Sequence, residues 1–177
     1  MEVETPLLSQ GTVPDPGIDV FRLLGKGGEP DRYLQTSPES AMKRLLAAGT
    51  GDIFQICKAF RQGEAGRHHN PEFTLLEWYR VGWDHAALMR EVAGLLGTAL
   101  NSDGWQVWPY RALFIELLGV DPLDEQTTLT ALTDLAQSRI GSVPDGLDRD
   151  AVLDLLMSHC IEPGISEWGM VFITDFP

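Results

Sequence analysis

Residues 60–79, F-R-Q-G-E-A-G-R-H-H-N-P-E-F-T-L-L-E-W-Y, hold two arginines, two histidines, three glutamates and a tyrosine in one short stretch. Alternation along a strand puts Phe73, Leu75, Glu77 and Tyr79 on one face. A face carrying a ring, a carboxylate and a phenol suits a ligand with a flat part, a cation and hydroxyls. A surface hairpin of solvated charges is the bland alternative. His68 and His69 are adjacent and would point to opposite sides of a strand, so they are a poor pair for one ion, and no metal site is expected. Cys57 lies in an apolar run, which argues for a buried thiol rather than a nucleophile partnered by His68. G-K-G-G at 25–28 lacks the spacing of a phosphate-binding P-loop and reads as a flexible turn.

These residues need elements to hold them. Residues 53–61 and 73–81 read as two strands joined by a polar, glycine-containing loop, an antiparallel hairpin with a wide tip. Phe54, Ile56 and Phe60 read as the alternating apolar set of the first strand. Upstream, Val3 reads as a strand entering a turn at Pro6, residues 9–31 as a long loop, and 32–36 as a short strand. Ser37-Pro38-Glu39 opens a helix, with Ser37 expected as N-cap, Pro38 at the first helical position and Gly49 as the stop. Met42, Leu45 and Leu46 supply its apolar face. Asp84 caps a helix over 85–100, with Leu88, Val92, Leu95 and Leu96 on one face. Trp105–Trp108 suggests a strand, and helices are expected at about 109–118, 128–138 and 148–160. The apolar run Met170–Asp175 reads as a strand with no visible partner.

The 177 residues suffice for one sizeable core. The net charge of −13 speaks against wrapping a nucleic acid. Its distribution is uneven: residues 1–80 hold nine of the 13 lysines and arginines and 11 of the 26 acids, a net of −2, and the remainder carries −11. A small anionic ligand such as a nucleotide fits the basic first half, and the acidic remainder reads as solvated surface. No apolar run reaches membrane-span length, and the start lacks a secretory core, so a reduced, cytoplasmic protein is expected.

The stretch 60–79 resembles motif 2 of the class II aminoacyl-tRNA synthetases, in particular the lysyl branch through R-x-H-N-P-E-F-T. Residues 33–46, Y-L-Q-T-S-P-E-S-A-M-K-R-L-L, resemble the amino-acid-binding segment of that branch, and E-V-E-T-P at 2–6 resembles the end of motif 1. The triplet Glu77-Trp78-Tyr79 and the run M-K-R-L-L-A-A-G are most similar to small lysyl paralogues that attach β-lysine to a lysine of elongation factor P. The resemblance implies an α+β fold, an antiparallel sheet flanked by helices, with a helical insertion at about 109–160. It implies ATP-dependent activation of lysine or β-lysine as an acyl-adenylate, with Mg²⁺ on the ATP oxygens and elongation factor P as acceptor. Charging of tRNA-Lys and a non-catalytic binding module are the alternatives.

By the same resemblance Arg61 is the catalytic arginine on the α-phosphate and the substrate carboxylate. Phe73 stacks on adenine, while Gly63, Glu64, His69 and Asn70 fall at ATP-binding positions. Ser37, Pro38 and Glu39 hold the amino acid, and Glu77 and Tyr79 shape the amine pocket. The lysyl pattern has Glu two residues after the arginine; here that place is Gly63, with Glu64 next, so either Glu64 swings in toward adenine or the contact is left to backbone. No stretch after 160 resembles motif 3. The chain therefore reads as part of a longer ligase, a homodimer when whole.

Overall fold

The computed structural model describes residues 1–12, 15, 17–101 and 104–177. Two compact units divide at Asp84: residues 1–84 and residues 85–177. Helices mix with antiparallel sheets, and one strand pair is parallel.

In unit 1 the two long strands β4 (Ile53–Phe60) and β5 (Glu72–Tyr79) pair antiparallel over eight residues each, from Ile53 opposite Tyr79 to Phe60 opposite Glu72. The hairpin expected from the sequence is therefore present. Its buried face is the other one, however. Ile53, Gln55 and Ala59 are buried, whereas Ile56 is 59% exposed and Phe54 and Phe60 are only half-buried. The polar Gln55 can take an inward place because Thr5 Oγ1 donates to its Oε1 at 3.1 Å. The extended N-terminus lies along the outer edge of β4, with Val3 N–H on the Phe54 carbonyl at 2.9 Å and a parallel bridge from Glu2 to Phe54.

The stretch 9–31, expected as a loop, contains strand residues at its start, Ser9, and in its interior, Arg22–Leu23. Strands β1 (Leu8–Ser9) and β2 (Arg22–Leu23) flank β3 (Arg32–Leu34) in an antiparallel sheet ordered β1-β3-β2. Strands of two or three residues carry too few side chains to show a period in the sequence. Part of that stretch, residues 13, 14 and 16, lies outside the described residues. Helix α1 (Glu39–Ala47) starts one residue later than expected: Pro38 is the N-cap, at φ −80° and ψ 0°. Ser37 instead accepts the Glu39 N–H on its Oγ at 3.3 Å, a turn contact and not a cap. Met42 is the buried anchor of α1, and Gly49 at φ +86° follows its end.

Unit 2 comprises α2 (His85–Leu100), β6 (Trp105–Pro109), α3 (Tyr110–Leu118), α4 (Leu129–Ile140), α5 (Arg149–Leu156), a π-helical turn at Met157–Ile161, the short α6 (Glu162–Ile165) and β7 (Met170–Thr174). Thr128 and Asp148 cap α4 and α5, accepting the N–H of Ala131 at 3.2 Å and of Ala151 at 2.9 Å. The expected helix at 148–160 is α-helical only to Leu156, where the π turn interrupts it. Strand β7 does have a partner: it runs parallel to β6, with Trp105 opposite Met170 and Pro109 opposite Thr174. Sixty residues of sequence, including four α-helices and the π turn, separate these strands, so reading along the chain could not reveal the pairing. The core around Leu113, Phe114, Leu132, Val152, Leu156 and Ile161 is fully buried. No described helix is long and apolar enough to cross a membrane.

Candidate functional site

The hairpin's strand alternation and the segment before α1 bring most of the expected residues of unit 1 together. On the inward face Gln55 lies opposite Glu77, and Ala59 opposite Phe73. Gln35 ties the upstream segment to β4: its Nε2 donates to the Lys58 carbonyl at 2.8 Å, and its own carbonyl takes the Phe60 N–H at 2.9 Å. Thr36, Ser37 and Pro38 follow directly, so this clamp fixes where α1 begins relative to the hairpin. Gln35 is buried and its amide is satisfied. The sequence reading passed over it, and the only available signal was a polar residue inside a strand-like run.

Arg61 stands where β4 ends. Its backbone N–H donates to the Pro71 carbonyl at 2.9 Å, closing the hairpin's base. Its Nε donates to the Thr36 carbonyl at 3.4 Å, and its guanidinium carbon lies 5.1 Å from the centre of the Phe73 ring. The guanidinium is therefore held from two sides. A third contact comes from Glu64, whose Oε2 is 3.8 Å from Arg61 Nη1. Gly63 explains that reach: it sits at φ +82°, a conformation that disfavours any side chain, and it turns the strand so that the next residue doubles back. The Gln62 N–H, bonded to the Asp19 carbonyl at 2.9 Å, anchors the same turn. His69 and Asn70 are exposed at the far tip, where Gly66 and His69 exchange backbone hydrogen bonds at 3.0 and 3.4 Å.

At the other end of the hairpin Tyr79 donates its hydroxyl to Glu77 Oε1 at 2.6 Å. Burial pushes the phenol well above its ordinary range, and its bond to Glu77 and the charges of Glu77 and Glu39 push the same way. Glu39 thus lies within electrostatic reach of this pair. Its carboxylate is engaged by Lys43 Nζ at 2.7 Å, one turn along α1. Two carboxylates and a neutral phenol form a pole that favours a cation, while Arg61, held over the Phe73 ring, forms a pole that favours an anion beside a flat ring. Burial raises the Cys57 thiol, the opposite of the lowering that activates a nucleophilic cysteine. Among the described residues no three His, Cys, Asp or Glu side chains converge as metal ligands.

The whole chain, residues 1–177, matches the family described as tRNA synthetases class II (D, K and N). It is 46% identical over 184 residues to the elongation factor P–(R)-β-lysine ligase of Vibrio atlanticus strain LGP32. It is 44% identical over 183 residues to the protein of that name from Sodalis glossinidius, and 46% over 183 residues to that from Pseudoalteromonas translucida. Each alignment covers all of this chain and 56% of the relative, so the chain spans about half the length of the curated relatives it matches.

Proposed function

The chain belongs to the class II tRNA synthetases of the D, K and N group, and on that footing we propose that it contributes the ATP and amino-acid site of a ligase that activates lysine or β-lysine and passes it to a lysine of elongation factor P. The observation that carries this reading is the two-pole arrangement on one hairpin face. Arg61 and Phe73 stand at one end, and Glu77 with Tyr79 at the other, with Glu39 in reach.

In this reading Arg61 meets the α-phosphate and the substrate carboxylate. Its fixed fork favours the charge that grows as carboxylate oxygen attacks phosphorus and pyrophosphate leaves. Phe73 offers its ring to adenine. Glu64 gives up its loose contact with Arg61 when the nucleotide arrives and turns toward adenine, and His69 and Asn70 approach the phosphates from the tip. Mg²⁺ bound with the nucleotide would supply charge neutralisation beside Arg61. Glu77, Glu39 and the Ser37-Pro38 backbone hold the substrate's amines. Tyr79, kept neutral, donates to Glu77 and so orients that carboxylate. The names of the relatives favour elongation factor P over tRNA as acceptor.

Pyrophosphate exchange in the full-length protein tests the proposal. Exchange driven by lysine or β-lysine in the absence of tRNA is the expected result. No exchange with either amino acid refutes activation, and exchange that requires tRNA moves the acceptor assignment to tRNA.

A further inference from the structure

Position 63 carries no side chain, and a carboxylate from another part of the chain stands beside it. The segment before β2 crosses the turn that follows Arg61: Asp19 and Gln62 form an antiparallel bridge, with the Gln62 N–H on the Asp19 carbonyl at 2.9 Å. A turn precedes that bridge, in which Asp15 Oδ1 accepts the Gly17 N–H at 2.9 Å. Asp19 Oδ2 lies 4.0 Å from the place that a Cβ on Gly63 would take, and beyond the glycine's chain neighbours no other described atom comes as near.

This carboxylate is available to a ligand. Asp19 is exposed, and among the described residues its side chain makes no ion pair and no hydrogen bond. Glu64, the next residue along the turn, is instead drawn onto Arg61 at 3.8 Å. From Cβ to its carboxylate oxygens a glutamate spans two carbon–carbon bonds and a carbon–oxygen bond, roughly 3–4 Å. Asp19 therefore holds a carboxylate about where a glutamate at 63 would reach, without the strain that φ +82° imposes on any side chain there.

An unpaired carboxylate close to a cationic fork and an aromatic ring selects a hydrogen-bond donor on the flat part of the ligand. On adenine that donor is the exocyclic amine. Guanine and hypoxanthine carry a carbonyl oxygen on the same carbon, and a carboxylate repels it. On the ATP-ligase reading of Arg61 and Phe73, on which this assignment rests, we infer that Asp19 reads the base: its carboxylate accepts a proton of the adenine amine and so sets the preference for ATP. Glu64 must leave Arg61 before it meets the same base, whereas Asp19 is in place before the nucleotide arrives. The bridge to Gln62 is made by backbone, so substitutions of the Asp19 side chain keep it.

Pyrophosphate exchange by the full-length protein, run with ATP and with inosine triphosphate at saturating lysine or β-lysine, tests the assignment. Wild type should prefer ATP by about tenfold or more. Asp19→Asn removes the charge and offers an amide N–H to the hypoxanthine oxygen. It should cut the preference about tenfold to a hundredfold, by a higher KM for ATP and a lower one for inosine triphosphate. Asp19→Ala should raise the KM for ATP without lowering the other. The amino-acid KM should move far less in both variants. A turn that is merely distorted would weaken both nucleotides and the amino acid together, since Arg61 serves them all, and that pattern overturns the assignment. Equal use of the two nucleotides by wild type overturns it, as does a preference unaltered in both variants. A preference lost in Glu64→Gln but kept in Asp19→Asn also overturns it, giving the amine to Glu64 alone. A wild type that exchanges with neither nucleotide refutes the ligase reading itself, and the role of Asp19 with it.

Discussion

The two units use their buried positions differently. In unit 2 ten buried apolar residues form one cluster, from Tyr110 and Phe114 on α3 to Ile161 in the π turn. Among the described residues of unit 1 the buried apolar ones are Pro38, Met42, Ile53 and Ala59, and all four buried polar residues of the described chain, Thr5, Gln35, Thr36 and Gln55, are there. Buried polar groups are stable only when bonded, so they fix geometry at a cost in packing energy. Unit 1 uses them as clamps that set α1 against the hairpin. Unit 2 uses apolar volume, which tolerates exchange of side chains but not loss of them. Precision at a site and cohesion of a core are thus separated along this chain.

The sharpest way to break that comparison is to remove volume where cohesion is claimed. Phe114 is fully buried and its ring centre lies 4.6 Å from that of Tyr110. Phe114→Ala should cost about 3–5 kcal/mol. Amide exchange across α3, α4 and α5 should accelerate accordingly. A loss below about 1 kcal/mol would show that unit 2 is loosely packed after all.

Arg61→Ala makes the opposite test, of function with little loss of fold. Removing a preorganised donor to developing charge costs roughly 3–4 kcal/mol, two to three orders of magnitude in rate. Arg61 is part-exposed and its strand pairing is backbone-made, so the hairpin should survive. Pyrophosphate exchange by the full-length variant, read beside its circular dichroism, separates the two effects. Near-normal exchange would remove Arg61 from the site.

A smaller effect sharpens the reading of the cation-binding pole. Glu77→Gln removes a charge but keeps an acceptor for the Tyr79 hydroxyl, and Glu39→Gln does the same for Lys43. Each should raise the concentration of lysine or β-lysine needed by about tenfold, the scale of one charge-assisted bond, with the ATP requirement nearly unchanged. Equal losses for amino acid and ATP would refute the division of the site into two poles.

How much of this the sequence showed follows from the range of the signals. Local signals were read correctly: the hairpin at β4–β5, the helix ending before Gly49, and the shared face of Phe73, Glu77 and Tyr79. Errors arose where distant contacts decide. β4 buries Ile53, Gln55 and Ala59 because Thr5, fifty residues before Gln55, satisfies a glutamine that looks like a surface residue. β7 pairs with β6 across four α-helices and a π turn. The cap falls at Pro38 and not at Ser37, which follows the Gln35 segment tied to β4. The Gly63 departure became intelligible only with its backbone angle, which no sequence pattern reports.

The smallest predicted effect concerns how unit 2 secures the loop after α3. Asp121 Oδ2 accepts the Arg111 Nε–H at 2.9 Å, and the second nitrogen of the fork bonds the same oxygen. Its Oδ1 accepts the Leu123 N–H at 3.0 Å. The Arg111 bond, and after it the backbone N–H groups of Leu123 and Asp124, hold the Asp121 carboxyl below its ordinary 3.8. A carboxyl lowered by folding stabilises the folded state above its unfolded pKa and loses that contribution as pH falls through the folded value. Both side chains reach solvent, Arg111 at 58% and Asp121 at 21% exposure, so salt screens the pair and the effect is small. Asp121→Asn should therefore lower the melting temperature slightly at neutral pH. The gap from wild type should close as pH falls through and below the ordinary carboxylate range. Added salt should narrow the neutral-pH gap as well. A gap that is constant across pH would mean that the Leu123 and Asp124 backbone bonds, which asparagine can keep in part, and not the ion pair, set the contribution of this loop.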